Sequence, residues 1–240
     1  MNFEETVHYR RSVRRYVATL LDIEKVKHCL SLSALAPNSS NMQLYGFYHI
    51  TDPEILKKIA IACLGQQTAI TAQQMVVFVT RQDLYRLRAK KMFALESQNI
   101  IKTSPEAKQD KRIKQWKLYY GTIMPFLYVR FLGIMGIIRK IFVNIVGLFR
   151  PIIYQVSECD MRVVVHKSCA LAAQTFMLAM ANNSYDTCPM EGFDSKKIKH
   201  ILHLPAGAEI NMVISCGIRA EAGVWGDRMR IPFDEIYHRI

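Results

Sequence analysis

Apolar positions along the chain follow two periods, and together they predict an interleaved set of helices and strands. Residues Asn2–Arg10 read as a short helix with Phe3 and Val7 on one face. Asp22 suits the N-cap of a second helix, in which Ile23, Val26, Leu30 and Ala34 recur at helical spacing. That helix must stop before Pro37, because a proline pushes the preceding residue out of the α region. The aromatic, β-rich run Leu44–Ile50 predicts a strand. Asp52-Pro53 then supplies a cap and a favoured first residue for a helix reaching about Cys63. Met75–Thr80 is continuously apolar, as expected of a central strand covered on both faces.

Beyond residue 84 the pattern changes. Leu84–Lys117 is polar, rich in Lys, Arg and Gln, and predicts helix with a break near Ser104-Pro105. In Leu118–Tyr154, 25 of 37 residues are apolar or aromatic. Met161–Asn182 has the small-residue-rich pattern of a buried helix, with Ala170, Ala172, Ala173, Ala179 and Ala181. A loop over Ser184–Phe193, a short helix opened by Asp194-Ser195 and a strand over Glu209–Cys216 follow. Strands and helices mix without βαβ repetition, so the expected class is α+β. The expected organisation is one domain over residues 1–240, with 84–155 as a helical insertion within it.

Charge sharpens that division. Leu84–Gln155 carries 14 Lys and Arg against 3 acidic residues, so almost all of the chain's net +12 lies in this one segment. The partner that explains the charge must be a partner of the segment. Nucleic acid is a poor fit, because the aromatics lie mostly in its apolar half, away from the Lys/Arg-rich half, and interleaved stacking platforms are missing. The six cysteines are scattered without CxxC or zinc-like spacing, which points to reduced, mostly buried thiols and no metal. The charged start MNFEETVHYRR lacks the apolar core of a signal peptide, so a cytoplasmic protein is expected.

Four short patches carry candidate chemistry. Arg10-Arg11-Ser12-Val13-Arg14-Arg15-Tyr16 sets several cations and a hydroxyl in one turn, and Ala36–Gln43 is dense in amide and hydroxyl groups. Thr187–Phe193 and Asp227–Pro232 complete the set. Each has an ordinary reading: a basic helix end complementing the dipole, a turn, a loop, a solvated tail. None of the seven histidines falls in an acid/base constellation, and a Rossmann GxGxxG is absent.

In order and content the four patches resemble the FMN-dependent nitroreductase family. Members open with a helix and an R-x-S-x-[RK] turn, similar to Arg10–Arg14, and continue with an A-P-S-x-x-N-x-Q loop, matched by Ala36–Gln43 except at Asn38. A G-x-x-x-C-P-x-x-G-F-D-like loop, similar to Thr187–Asp194, follows the buried helix, and a basic pair precedes a Pro-containing tail, as at Arg228–Pro232. The resemblance covers residues 1–80 and 160–240 and fades across the insertion. It implies a nitroreductase-like mixed central sheet flanked by helices, a homodimer, and FMN as cofactor with NADH or NADPH as hydride donor.

Residue by residue, the resemblance implies that Arg10, Ser12, Arg228 and Arg230 hold the FMN phosphate, a dianion that needs forked cationic donors, with Arg11 of the same turn also among the cofactor-binding residues. Arg14 would lie against the pyrimidine edge of the ring and stabilise the charge that reduction places there. Asn38, Ser39 and Asn41 of the Pro37 loop would contact ring and ribityl; the backbone N–H groups of Glu191 and Gly192 would face the N5 and O4 edge, with Pro189 and Met190 beside them among the cofactor-binding residues. Tyr45 stands where many members have Trp, and Gln66, Gln67 and Thr68 occupy a region that sometimes adds cofactor contacts. No protein nucleophile is required, and the implied cycle is ping-pong, with a nitroaromatic, quinone or flavin as acceptor. A flavin-binding regulator without turnover is the alternative from another class.

The insertion has its own competing readings. Its apolar stretch is cut by Arg130, Arg139, Lys140 and Arg150 before reaching the length of a membrane span, and these cations do not gather on one face of a helical wheel. An interprotomer lid, peripheral contact with an anionic membrane at the inner face, which would bring the site near lipid-soluble quinones, and an acidic protein partner all fit this composition.

Overall fold

The computed structural model describes residues 1–240. Its centre is a four-stranded sheet: β1 (Tyr45–Ile50), β2 (Gln74–Thr80), β3 (Asp186–Met190) and β4 (Glu209–Gly217), in the order β1-β2-β4-β3. All three pairings are antiparallel, with Tyr45 opposite Thr80, Gln74 opposite Cys216 and Asp186 opposite Gly217. The class is α+β as expected. The parallel component of the sheet is confined to one bridge, Ser12 to Thr187.

Strand β2 is buried along its whole length, and side-chain alternation explains why its sequence is unbroken. Val76 and Phe78 face one layer, where they meet Val26, Cys29 and Leu30 of α2 (Ile23–Ser33) and Cys169, Ala172, Ala173 and Phe176 of α9 (Glu158–Asn182). Met75, Val77 and Val79 face the other, against Ile59, Ala60 and Ala62 of α3 (Pro53–Ala62) and Ile198 of α10 (Ser195–Ile201). Helix α9 is long and apolar enough to cross a membrane, but its buried residues are the core of this protein. Local caps set the boundaries: the Asp22 and Asp52 carboxylates accept from the first-turn N–H groups of α2 and α3, and Asp194 does so for α10.

Some expectations need correction. Phe3 is exposed, because α1 (Phe3–Tyr9) turns Thr6 toward α9 instead, and Ile23 and Ala34, at the two ends of α2, are exposed as well. The segment expected as a loop, Ser184–Phe193, contains strand β3. Its proline hid it, and Pro189 is tolerated there because β3 is an edge strand.

The insertion begins with α5 (Tyr85–Thr103) and α6 (Glu106–Leu118), broken at Ser104-Pro105 as predicted, and continues through a π-turn at Tyr119–Ile123 into α7 (Met124–Tyr128). It packs on the loop before β1 through Met92, Tyr120, Met124 and Tyr128 against Met42 and Leu44. Helix α8 (Ile134–Gly147) follows, and its Arg139 points inward. The guanidinium donates to the carbonyls of Phe126 (2.8 Å), Leu127 (2.8 Å), Val129 (3.0 Å) and Val156 (2.7 Å), and so caps the C-terminal end of α7. Burial lowers its pKa, partly offset by Glu158. Arg139 therefore does not interrupt the outer surface of α8, and the four cations stay apart as expected: Arg130 pairs with Glu209, Arg139 is buried, and Lys140 is exposed to one side of an apolar arc.

Candidate functional site

Helix α1 is capped by Asn2, which accepts from Glu5 N–H while the Glu5 carboxylate accepts from Asn2 N–H. The turn that follows runs along the open edge of β3: Val13 N–H donates to the Thr187 carbonyl (3.1 Å), and Tyr16 bridges to Arg219. The segment after β4 returns beside it. Arg14 N–H donates to the Gly223 carbonyl (2.6 Å), and Gly217 is tight against Tyr16, since a Cβ there would lie 2.5 Å from the ring. Asp186 fastens this corner. It is buried, accepts from the Arg219 backbone N–H (2.8 Å) and guanidinium Nε (2.9 Å), and Arg219 in turn lies 4.2 Å from the Tyr9 ring centroid. Neither Asp186 nor Arg219 was singled out from the sequence; both look like ordinary surface charges until β3 and β4 are paired.

The tail closes the corner. Arg228 Nη2 donates to the carbonyls of Val7 (3.3 Å), His8 (3.0 Å) and Arg10 (2.7 Å), which are the unpartnered acceptors at the end of α1. Arg11 donates to the Gly226 carbonyl (2.8 Å), and Arg14 lies 5.5 Å from the Trp225 ring centroid. Burial lowers the Arg10 pKa, and the like charges of Arg228, Arg230 and Arg11 lower it further. No carboxylate pairs with any of these cations. Both ends of the chain thus bring arginines together at one place without compensation, beside the half-buried Ser12. Such a site is electrostatically suited to a multiply charged anion, and a phosphate monoester fits the donor set.

The end of β3 borders this corner. The Cys188 thiol is raised by burial and pulled back by Arg14, Thr68 and Arg10, which sets these groups around one point. Met190 is buried in the core, so only its backbone can face a ligand, while Glu191 and Gly192 are exposed. Gly192 accepts from Gln66 Nε2 (2.8 Å), and a Cβ there would meet nothing closer than that nitrogen at 3.5 Å. The chain itself gives no steric reason for this glycine. Thr68, on the short helix α4 (Gln67–Ile70), is withdrawn from the site: its hydroxyl donates to the Val13 carbonyl (2.9 Å) and pairs with Ser215 (2.7 Å) beneath the basic turn.

The Pro37–Gln43 loop lies elsewhere. It feeds β1, at the sheet edge opposite β3, with two strands between, a separation of roughly 14 Å at strand spacing. Within one protomer the structure does not bring Asn38, Ser39 and Asn41 to the arginines. Asn38 is occupied locally, accepting from Gln43 N–H (2.8 Å) and donating to the Ala36 carbonyl (3.3 Å). Ser39 accepts from Tyr128 OH (3.2 Å), and its backbone N–H donates to Ser168 Oγ (3.2 Å). Asn41 accepts from Gln43 Nε2 (3.1 Å). Ser40, Asn41 and Gln43 have φ of 54, 50 and 47°, a left-handed run costly for non-glycine residues. The π-turn pays this cost: Tyr119 OH pairs with Ser40 Oγ (2.8 Å) and Tyr120 OH donates to the Ser40 carbonyl (2.9 Å). Tyr45 is absorbed into the core beside Phe47.

A polar knot missed from the sequence occupies the start of β4. Glu209 accepts from Arg130 Nη1 (2.9 Å), from Arg162 and, at 3.3 Å, from His166. Partial burial acts to raise its pKa, but the three donors prevail and hold it at about 2. Glu209 faces Thr80 at the far end of β4 from the arginine corner.

Residues 7–218 match the model of the Nitroreductase family. The chain is similar to MhqN of Bacillus subtilis, described as an NAD(P)H nitroreductase, with 23% identity over 90% of this chain and 87% of that one. Among solved structures it resembles one described as an NAD(P)H:FMN oxidoreductase of Staphylococcus epidermidis, with a TM-score of 0.74, 19% identity, and 100% and 97% of the two chains covered. It also resembles a nitroreductase of Exiguobacterium sibiricum solved with FMN, with a TM-score of 0.69, 18% identity, and 100% and 98% covered. At these identities the structural likeness carries the fold.

Proposed function

The chain belongs to the Nitroreductase family, and from that premise we infer that it is an FMN-dependent oxidoreductase that takes hydride from NADH or NADPH and reduces a small organic acceptor. The observation carrying this reading is the meeting of Arg10, Arg11, Arg228 and Arg230 without a carboxylate among them. These residues and Ser12 would hold the phosphate of the cofactor, the Glu191–Gly192 backbone would border its ring, and Arg14 would offset negative charge at the ring's pyrimidine edge. FMN, when bound, supplies hydride acceptance and delivery, in two half-reactions that share one binding face. The chain's own part is to grip the phosphate, fix the ring and admit donor and acceptor in turn.

The Pro37–Gln43 loop reaches such a ring only from a second copy, since it sits at the opposite sheet edge. A homodimer is therefore part of the proposal, and the exposed apolar side chains of the tail, Trp225, Met229, Ile231 and Phe233, are surface for that partner. The acceptor class is a nitroaromatic, quinone or free flavin, and the expected compartment is the cytoplasm. Anaerobic titration of the purified protein tests the reading. A yellow preparation that bleaches with NADH or NADPH and regains colour with one of these acceptors is the expected result. A colourless protein that takes up no added FMN refutes it.

A further inference from the structure

Helix α8 inverts the usual order of a surface helix, which turns its apolar stripe to the core. Its inner side carries Gly136, Arg139 and Val143, all buried. Its outer side carries Ile134, Ile137, Ile138, Ile141, Phe142 and Ile145, continued by Leu148 and Phe149, each between 46 and 84% exposed. At 100° per residue these eight positions share one arc about 140° wide. No charge interrupts it. The helix is held rigidly in this attitude: Arg139 ties it to α7, and Glu158 at the start of α9 accepts from Phe131 N–H (2.9 Å) just before it. An apolar surface of this extent needs an occupant.

The charge beside the helix points to the occupant. Between Lys111 and Ser157 there are eight Lys and Arg and no acidic residue; the nearest carboxylates in sequence, Glu158 and Asp160, open α9 and are engaged there, Glu158 by Phe131 N–H and Asp160 by the Ser157 cap with Lys140 near it. Arg130 is spent on Glu209 and Arg139 is buried, which leaves Lys140 and Arg150 exposed beside the apolar arc. A second copy docked face to face through α8 would offer Lys140 and Arg150 no carboxylate from its own copy of this segment, because none lies between Lys111 and Ser157. An anionic surface has the complementary sign. The helix is also too short to span: 14 residues rise roughly 21 Å, against about 30 Å of hydrocarbon.

We propose that the outer face of α8 docks this protein in the plane of an anionic lipid bilayer, its Ile, Leu and Phe side chains entering the interface and its cations meeting the headgroups. The proposal goes beyond the oxidoreductase reading, and a failed vesicle experiment would leave that reading intact. The purified full-length protein is mixed with vesicles of phosphatidylcholine alone or with phosphatidylglycerol added, at low and high salt, and centrifuged. Sedimentation with the anionic vesicles at low salt, reversed by high salt, is expected. The variant I141D/I145D, altered only at exposed positions, should lose vesicle partitioning by at least about tenfold with unchanged circular dichroism and gel-filtration volume. K140E/R150E should lose the preference for anionic lipid. Wild-type protein remaining in the supernatant with anionic vesicles at low salt overturns the proposal, as does a fully vesicle-bound I141D/I145D. A shift of I141D/I145D to a smaller species on gel filtration overturns it too, by showing that the face joins protomers.

Discussion

The hydroxyl of Tyr120 donates a 2.9 Å hydrogen bond to the carbonyl of Ser40, eighty residues away, and Ser40 holds a left-handed φ of 54°. The insertion therefore does more than cover the protein: it clamps the loop assigned to the cofactor in a conformation that loop would not keep alone. Tyr120→Phe keeps the ring, which stacks on Trp116, and deletes only the clamp. A loss of about 1 kcal/mol in stability is expected, together with several-fold weaker FMN binding. Thermal melting and fluorescence titration check both; unchanged values would detach the loop from the insertion.

Arg10 should contribute to the phosphate grip by charge and hydrogen bonding together. Arg10→Ala is expected to weaken FMN binding by roughly 10- to 100-fold, the weight of a charge-assisted hydrogen bond. The apoprotein should not lose stability, because the substitution also relieves repulsion from Arg228, Arg230 and Arg11. Added inorganic phosphate should raise the melting temperature of wild-type apoprotein and leave the variant less affected.

Arg139→Leu strands the buried carbonyl of Val156 and the partly buried carbonyls of Phe126, Leu127 and Val129. The expected loss is on the order of 3 kcal/mol, concentrated in α7 and α8. Limited proteolysis should cut the variant between residues 119 and 157 while the sheet core resists; uniform resistance like wild type would contradict the assigned role.

Glu209 predicts a specific acid sensitivity. Its pKa falls from an ordinary 4.5 to about 2 in the folded chain, so its contribution is complete above about 4.5 and disappears as pH falls toward 2. Glu209→Gln should therefore melt below wild type at neutral pH, with the gap closing over that acid interval. A gap independent of pH would show that packing, not charge, is what the knot supplies.

All six cysteines are free, and Cys159 alone is exposed. Burial raises the thiols of Cys29 and Cys63 to about 11 and that of Cys169 to about 12. One thiol should react with a disulfide reagent in the native protein and six after denaturation. Two fast thiols would expose a loosely packed core.

Much of this protein is written locally. The Asp22, Asp52 and Asp194 caps, the break at Ser104-Pro105 and the apolar run Met75–Val79 of β2 were legible because each depends on residues within a turn or a strand. The basic turn and basic tail were legible as chemistry for the same reason: a cluster of cations keeps its character wherever the chain takes it.

What neighbouring residues could not decide was where these pieces meet. Edge strand β3 exists only because β4 pairs with it, so Pro189 read as a loop. Asp186 and Arg219 became a buried anchor through the same pairing. Arg139 looked like one more surface charge until the α7 carbonyls gathered around it, and with it turned inward α8 presents an uninterrupted apolar arc to the outside. The arginines and the Pro37–Gln43 loop, adjacent in the expected site, stand at opposite edges of one sheet. Capping and periodicity are short-range forces that a sequence displays directly. Strand order and the direction a long side chain takes are settled by which distant groups can satisfy its hydrogen bonds, and that is known only once the chain has folded.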